Sequence, residues 1–283
     1  MIGLAADAML RMAGKRIATP VCALVRNDKL FRYAAKQQFT SVVDGIGKEG
    51  ERMYRGKYFS ILGDSISTLA GCNPPECGVF YDRENKYLAG IYAPQDTWWG
   101  QVIEALGGHL LVNNAWSGST VCRLPMYEID SYGCSDGRTG GLHIGTVSPD
   151  VVMVLLGLND FGCGLPVVGD GGAQVFSTAY EMLLGKLRRN YPASEIWCLT
   201  LPVSCWSKQP GFVPPPMRGG WHVAEYCQAI RDCAGKLGCR VVDIYDPAAP
   251  YDTIDGYHPT AEGMQTIARA VLRALEGGNA DDY

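Results

Sequence analysis

Five short, almost wholly apolar runs recur along this chain, and they constrain its fold more than any other feature: Tyr58 to Leu62, Leu110 to Asn113, Val151 to Leu156, Ile196 to Leu201 and Val241 to Tyr245. A strand that is apolar at nearly every position has no face to offer water, so both of its faces must be covered. Between the runs, Thr97 to Leu106, Ala173 to Asn190 and Val223 to Leu237 carry apolar residues at helical spacing, and a last helix is predicted from Ala261 to Glu276. Strands alternating with helices predict an α/β fold, a parallel sheet flanked by helices and wound through right-handed crossovers. Ligands on such sheets bind beyond the carboxyl ends of the strands. The residues just after each run are therefore the ones to search.

The length, 283 residues, suffices for one large α/β domain, or for one of about 200 residues with an extension. Hydrophobic residues at 47% and charged residues at 19% exclude both a disordered chain and a small disulfide scaffold. With a formal net charge of -4 the chain has no basic excess, and its one dense basic cluster, Lys186-Leu187-Arg188-Arg189, ends a predicted helix, where cations suit the helix dipole. No nucleic-acid partner is expected. No apolar stretch reaches the roughly 18 residues of a membrane-spanning helix, so no membrane insertion is expected. At the N-terminus Asp7 and Arg11 interrupt the apolar segment and no basic segment precedes it, unlike a signal peptide, which predicts a cytoplasmic location. The 11 cysteines include no Cys-x-x-Cys pair and are expected as reduced thiols.

Residues 1–56 stand outside the strand–helix pattern as an N-terminal extension, and the pattern itself occupies 57–283. Ala18 to Val25 and Leu30 to Ala34, joined across Arg26-Asn27-Asp28, read as a hairpin that serves as a sheet edge or a homo-oligomer contact. The Pro/Gly-rich stretch from Pro202 to Gly220 is predicted as a surface loop near the site.

Four short motifs sit just after successive elements. Gly63-Asp64-Ser65 follows the first run: glycine permits a tight turn, and Ser65 would open the next helix, where unpaired N–H groups stabilise negative charge. Gly118, in Asn114-Ala115-Trp116-Ser117-Gly118 after the second run, can present a backbone N–H with no side chain in the way. Asn159, after Gly157 at the end of the third, carries an amide donor that cannot lose its proton; a helix cap is the plainer alternative. Asp255-Gly256-Tyr257-His258-Pro259 precedes the last helix. A serine hydroxyl needs a base, and an imidazole needs a carboxylate to fix its tautomer; Asp255 and His258 are close enough in sequence to meet in one turn. Pro259 disfavours helical backbone at His258, and Thr260 is placed to cap the helix beyond.

His109, His143 and His222 have no comparable acid nearby and read as structural or surface residues, with His222 alone placed to reach a substrate; no metal-ligand spacing appears. Gly133-Cys134-Ser135-Asp136-Gly137 matches the Gly-x-Ser-x-Gly nucleophile elbow, but neither a strand before it nor a helix after it is predicted, so Ser135 is set aside.

A serine, a glycine, an asparagine and a histidine in this order resemble the blocks of the SGNH (GDSL) hydrolase superfamily, from about Lys57 to Glu276. Ile66 stands where the family's common name has leucine, which keeps an apolar residue. The resemblance implies a flavodoxin-like three-layer α/β/α sandwich of about five parallel strands. It also implies ester hydrolysis through an acyl-enzyme, with Ser65 as nucleophile, His258 as base then acid, and Asp255 orienting the imidazole. The oxyanion hole would combine the N–H of Ser65, the N–H of Gly118 and the Asn159 amide. Neither a metal nor an organic cofactor is called for. Short acyl groups, acetyl above all, on a carbohydrate are the expected substrate, with Asp64, Trp116 and Tyr257 as candidate contacts. The alternatives are a longer-chain esterase, lysophospholipase or thioesterase, and a non-enzymatic carbohydrate-binding protein on the same fold. Trp98 and Trp99 are expected in the core rather than at the substrate.

Overall fold

The computed structural model describes residues 48–82, 84–124, 131–209 and 211–276. The hairpin expected between Ala18 and Ala34 lies outside them. In chain order the main elements are α1 (Lys48–Tyr54), β1 (Tyr58–Gly63), α2 (Asn85–Ala89), α3 (Trp98–Ala105), β2 (His109–Asn113), α4 (Asp136–Gly140) and β3 (Val151–Leu155). There follow α5 (Leu158–Gly162), α6 (Phe176–Asn190), β4 (Glu195–Leu199), α7 (Val223–Lys236), β5 (Arg240–Val242) and α8 (Ala261–Glu276). The five strands form one parallel sheet in the order β2-β1-β3-β4-β5. This is the flavodoxin-like order, in which the chain changes direction across the sheet between β1 and β3. Ligand sites on such sheets open at that point.

Alternation along the strands sends successive side chains to opposite layers. Leu62, Val152, Val154, Leu156, Ile196 and Cys198 pack with Tyr180, Leu183 and Leu184 of α6 and Tyr226 and Ile230 of α7 in one buried cluster. On the other face the rings of Phe59 and Trp197 meet edge to face, and Tyr54 of α1 joins them. Helices α3 and α8 pack against each other, as do α6 and α7, which completes the three layers. Trp98 and Trp99 are fully buried, as their place in the sequence predicts.

The elements differ from the sequence reading where side chains take over backbone hydrogen bonds. The fifth strand, expected to reach Tyr245, ends at Val242 because the N–H groups of Ile244 and Tyr245 donate to Thr200 Oγ1, at 2.8 and 2.9 Å, instead of continuing the ladder. Helix α6 begins at Phe176 rather than Ala173, since Val175 is extended (φ -107°, ψ 128°) after a turn of 3₁₀ helix at Gly172–Gln174. The loop from Pro202 is more ordered than expected. Ser204–Cys205 pairs in parallel with Tyr251–Asp252, and Met217–Arg218 forms a hairpin with Trp221–His222. The turn of that hairpin needs positive φ at both Gly219 (55°) and Gly220 (88°), and a Cβ at Gly219 would lie 2.1 Å from the carbonyl oxygen of Gly164. No helix among the described residues is long and apolar enough to cross a membrane. The ten described cysteines are all free thiols, seven of them buried.

Candidate active site

Strand β1 delivers Ser65 through a turn that only glycine can open. A Cβ at Gly63 would sit 2.6 Å from Ser67 Oγ and 2.7 Å from Ser67 Cβ, a contact no side chain tolerates. The Asp64 carboxylate then accepts the N–H of Ile66 at 3.0 Å and caps a three-residue 3₁₀ turn, Ser65–Ser67. The longer helix expected to open at Ser65 does not form. Thr68 returns to extended backbone (φ -79°, ψ 150°), and its N–H and hydroxyl both donate to the Ser65 carbonyl, at 3.3 and 2.9 Å.

His258, 193 positions away, places Nε2 3.0 Å from Ser65 Oγ. Its Nδ1 lies 2.7 Å from Asp255 Oδ2. The other oxygen of Asp255 accepts the N–H groups of Tyr257 and His258, at 3.0 and 2.8 Å. Burial pushes the Asp255 carboxyl upward, but its hydrogen bonds to the His258 ring and to these two backbone N–H groups outweigh that and hold it below the usual carboxylate range. It stays ionised, as an acceptor for an imidazole Nδ1–H must. Thr260 Oγ1 accepts the N–H of Gly263 at 3.1 Å, so the loop bearing His258 is anchored on the first turn of α8.

Gly118 and Asn159 leave the two strands that flank β1, from the loop after β2 and the first turn of α5 after β3. Gly118 has φ 79° and open space where a Cβ would be. Its loop is tied to the Ser65 turn by the N–H of Trp116, which donates to the Gly63 carbonyl at 3.0 Å. Asn159 Nδ2 donates one hydrogen to the Ser119 carbonyl at 2.9 Å, which fixes the amide and leaves its second N–H to point elsewhere. Among the described residues, no protein acceptor takes the backbone N–H of Ser65 or Gly118. Ser65, Gly118 and Asn159 thus follow three adjacent strands of the sheet, and the loop before α8 brings the His258 imidazole and the Asp255 carboxylate to the Ser65 hydroxyl.

Several supporting residues gave no sign in the sequence. Arg138, only 3% exposed, donates to the carbonyls of Gly63 (2.9 Å) and Asn114 (2.8 Å), to Ser119 Oγ (2.8 Å) and to the Ser131 carbonyl. One guanidinium thus ties the Ser65 turn to the loop that carries Gly118. Burial lowers its pKa to about 10, which still leaves it charged. Asp160, wholly buried, accepts the N–H groups of Val121 and Cys122 at 2.8 and 2.9 Å; burial raises its pKa, and those bonds oppose the rise. Phe80 lies flat against the His258 ring. The Gly-rich stretch set aside as a false elbow turned out to precede Arg138: Ser135 is buried and caps α4, its hydroxyl accepting the Arg138 N–H at 3.2 Å.

Of the residues expected to touch substrate, Tyr257 is half exposed beside His258, and Trp116 is partly buried with its indole against Gly78. Asp64 is 1% exposed and faces inward. Burial raises its pKa to about 6, opposed by the hydrogen bond from the Ile66 N–H that holds the turn. His222, expected within reach of a substrate, caps α7 instead, its Nδ1 accepting the Ala224 N–H at 3.0 Å. His143 Nδ1 lies 3.4 Å from the Tyr191 hydroxyl. Among the described residues no group of His, Cys, Asp and Glu is arranged to hold a metal ion. Two clefts, one lined by Leu165, Pro166 and Val175 and one by Tyr245, Arg269 and Arg273, lie away from the serine–histidine pair.

Residues 61–266 match the GDSL-like lipase/acylhydrolase family. A multidomain esterase from Ruminococcus flavefaciens is 27% identical over 173 residues, 57% of this chain; the match spans only 20% of that much longer protein. Two crystal structures of GDSL-like lipases have the same fold. That from Bacteroides ovatus superposes with a TM-score of 0.61 at 24% identity, covering 79% of this chain and 99% of its own. The one from Bacteroides uniformis gives 0.58 at 27% identity, covering 78% and 96%.

Proposed function

The chain belongs to the GDSL-like lipase/acylhydrolase family, a family of ester hydrolases, and we propose that it works as a serine hydrolase through an acyl-enzyme, removing short acyl groups, acetyl above all, from a carbohydrate. The observation that carries the mechanism is the continuous chain from Ser65 Oγ to His258 Nε2 (3.0 Å) and from His258 Nδ1 to Asp255 (2.7 Å). Ser65 Oγ attacks the acyl carbon while its proton passes to His258 Nε2. The carbonyl oxygen becomes an oxyanion held by the N–H groups of Ser65 and Gly118 and by the Asn159 amide. Collapse expels the alcohol, which takes the proton from His258, and leaves the acyl group on Ser65. Water then repeats the cycle with His258 as base, releasing the acid and restoring the serine.

The reading of a short acyl group rests on what lies behind the nucleophile. Ser67 is wholly buried; its hydroxyl accepts Trp98 Nε1 at 3.2 Å, and its carbonyl accepts Trp99 Nε1 at 2.9 Å and Asn113 Nδ2 at 2.8 Å. The interior behind Ser65 is packed with side chains, which supports the short-acyl reading. Tyr257 and Trp116 are partly exposed aromatic side chains of the kind that stack on sugar rings.

Initial rates on p-nitrophenyl acetate, butyrate and octanoate test the acyl part. The expected kcat/KM falls by about tenfold or more from acetate to octanoate; the reverse order would replace the short-acyl reading with a lipid one. Acetate release from an acetylated oligosaccharide should exceed that from p-nitrophenyl acetate in kcat/KM, and equal values would remove the carbohydrate from the proposal. If Asn159 is an oxyanion donor, Asn159→Ala lowers kcat by roughly 100- to 1,000-fold with little change in KM. A loss below about tenfold would reduce it to a tether for the Ser119 carbonyl.

A further inference from the structure

Ser65 and His258 come from distant segments, and the dipeptide Phe80–Tyr81, in the loop after the nucleophile turn, touches both. On the serine side, the Phe80 N–H donates to Thr68 Oγ1 at 2.9 Å, and that hydroxyl donates to the Ser65 carbonyl at 2.9 Å. The next carbonyl, of Tyr81, accepts the Ala70 N–H at 3.1 Å. On the histidine side, the Phe80 ring stacks on the imidazole with centroids 3.4 Å apart and planes within 10°. Tyr81, fully buried, donates its hydroxyl to the carbonyl of Pro259, the residue after His258, at 2.9 Å. Burial raises the Tyr81 pKa well above that of a free phenol, so the hydroxyl keeps its proton as a donor. The loop is itself held at α2, where Asn85 Nδ2 donates to the Phe80 carbonyl at 2.9 Å.

We propose that Phe80 and Tyr81 are positioning residues for proton transfer between Ser65 and His258. Tyr81 sets the height of the histidine loop over the nucleophile turn. Phe80 holds the plane of the imidazole and presents the electron-rich face of its ring to it. The two nitrogens of His258 face Asp255 and Ser65, and the buried Asp64 carboxyl is within electrostatic reach of the imidazole. Phe80 covers the face of the ring rather than its two nitrogens. A π face attracts a cation far more than a neutral ring, and the imidazolium exists only after Ser65 has surrendered its proton. Phe80 therefore contributes in the transition state and not in substrate binding, which places its effect in kcat. A ring that merely covered the histidine would be replaced without loss by any apolar side chain of similar size.

The inference rests on the serine-hydrolase reading above, and the experiment separates the two. Steady-state rates on p-nitrophenyl acetate are measured for the wild type, Phe80→Leu, Phe80→Tyr and Ser65→Ala. Native molecules are counted by circular dichroism and by complete labelling with a fluorophosphonate where the serine is present. Phe80→Leu is expected to lower kcat by roughly 3- to 30-fold with KM unchanged. Phe80→Tyr, which keeps the π face, restores most of kcat. A leucine variant with full kcat, or leucine and tyrosine variants that fall equally, overturns the role given to the ring. Activity surviving in Ser65→Ala would instead overturn the reading on which it rests. Should Phe80→Leu not fold, Tyr81→Phe carries the test: releasing the Pro259 carbonyl is expected to lower kcat about tenfold, and an unchanged kcat overturns the clamp.

Discussion

Ser65→Ala is expected to lower kcat on p-nitrophenyl acetate by on the order of a million-fold while leaving the fold intact. The size of the loss follows from the role: without Oγ there is no acyl-enzyme, and what remains is the oxyanion donors acting on water. The intact fold follows from the bonding. The turn is held by the Asp64 carboxylate on the Ile66 N–H and by Thr68 on the Ser65 carbonyl, neither of which uses the serine side chain. Among the described residues the hydroxyl itself is hydrogen-bonded to His258 Nε2. Rates are compared with thermal melts of both proteins, and a fluorophosphonate adduct is mapped by mass spectrometry. The expected adduct lies on the peptide containing Ser65 and is absent from the variant. Hydrolysis that persists in the variant above about a thousandth of the wild-type rate would move the nucleophile elsewhere. Ser135 offers no refuge for it, since it is 1% exposed and committed to capping α4.

The features legible in the sequence were those with local causes. An apolar run that stops at Gly63 and delivers a serine is a local pattern, and so is an acid three positions before a histidine that proline keeps out of a helix. The strand order placed both where the pattern implied, because βα alternation leaves a parallel sheet few ways to wind. What stayed hidden depends on contacts across the chain. Nothing near Phe80 or Tyr81 announces a partner 178 positions away, as Tyr81 has in Pro259. Arg138 looked like one more residue of a glycine-rich loop, yet its side chain reaches the ends of two strands and the loop at Ser131. Asp64, beside Ser65 in sequence, is a candidate substrate contact that the structure instead buries. Its hydrogen bond from the Ile66 N–H is local, but its burial depends on packing that no window of sequence contains. The length of the 3₁₀ turn escaped for the same reason: Thr68 ends it by bonding back to Ser65 and forward to Phe80.

Asp255→Asn is the second large effect, an expected loss on the order of 10⁴-fold in kcat, and here the local bonding dictates the reason. In the native protein one carboxylate oxygen accepts the N–H groups of Tyr257 and His258 while the other faces His258 Nδ1. An asparagine has a single oxygen, and the two backbone donors will keep it. The amide nitrogen must then face Nδ1, and being a donor it forces Nδ1 to become the acceptor. The neutral imidazole's proton moves to Nε2, so the nitrogen 3.0 Å from Ser65 Oγ points a hydrogen at the hydroxyl instead of a lone pair. The site keeps its shape and loses its base. Melting behaviour should change little, because the loop's backbone bonds survive, whereas fluorophosphonate labelling of Ser65 should slow along with turnover. Since Asp255 is held ionised in the wild type, its protonation cannot produce a comparable loss until the pH falls below the ordinary carboxylate range. A variant that kept more than about a hundredth of the wild-type kcat would mean that Asp255 supports the loop without setting the tautomer of His258.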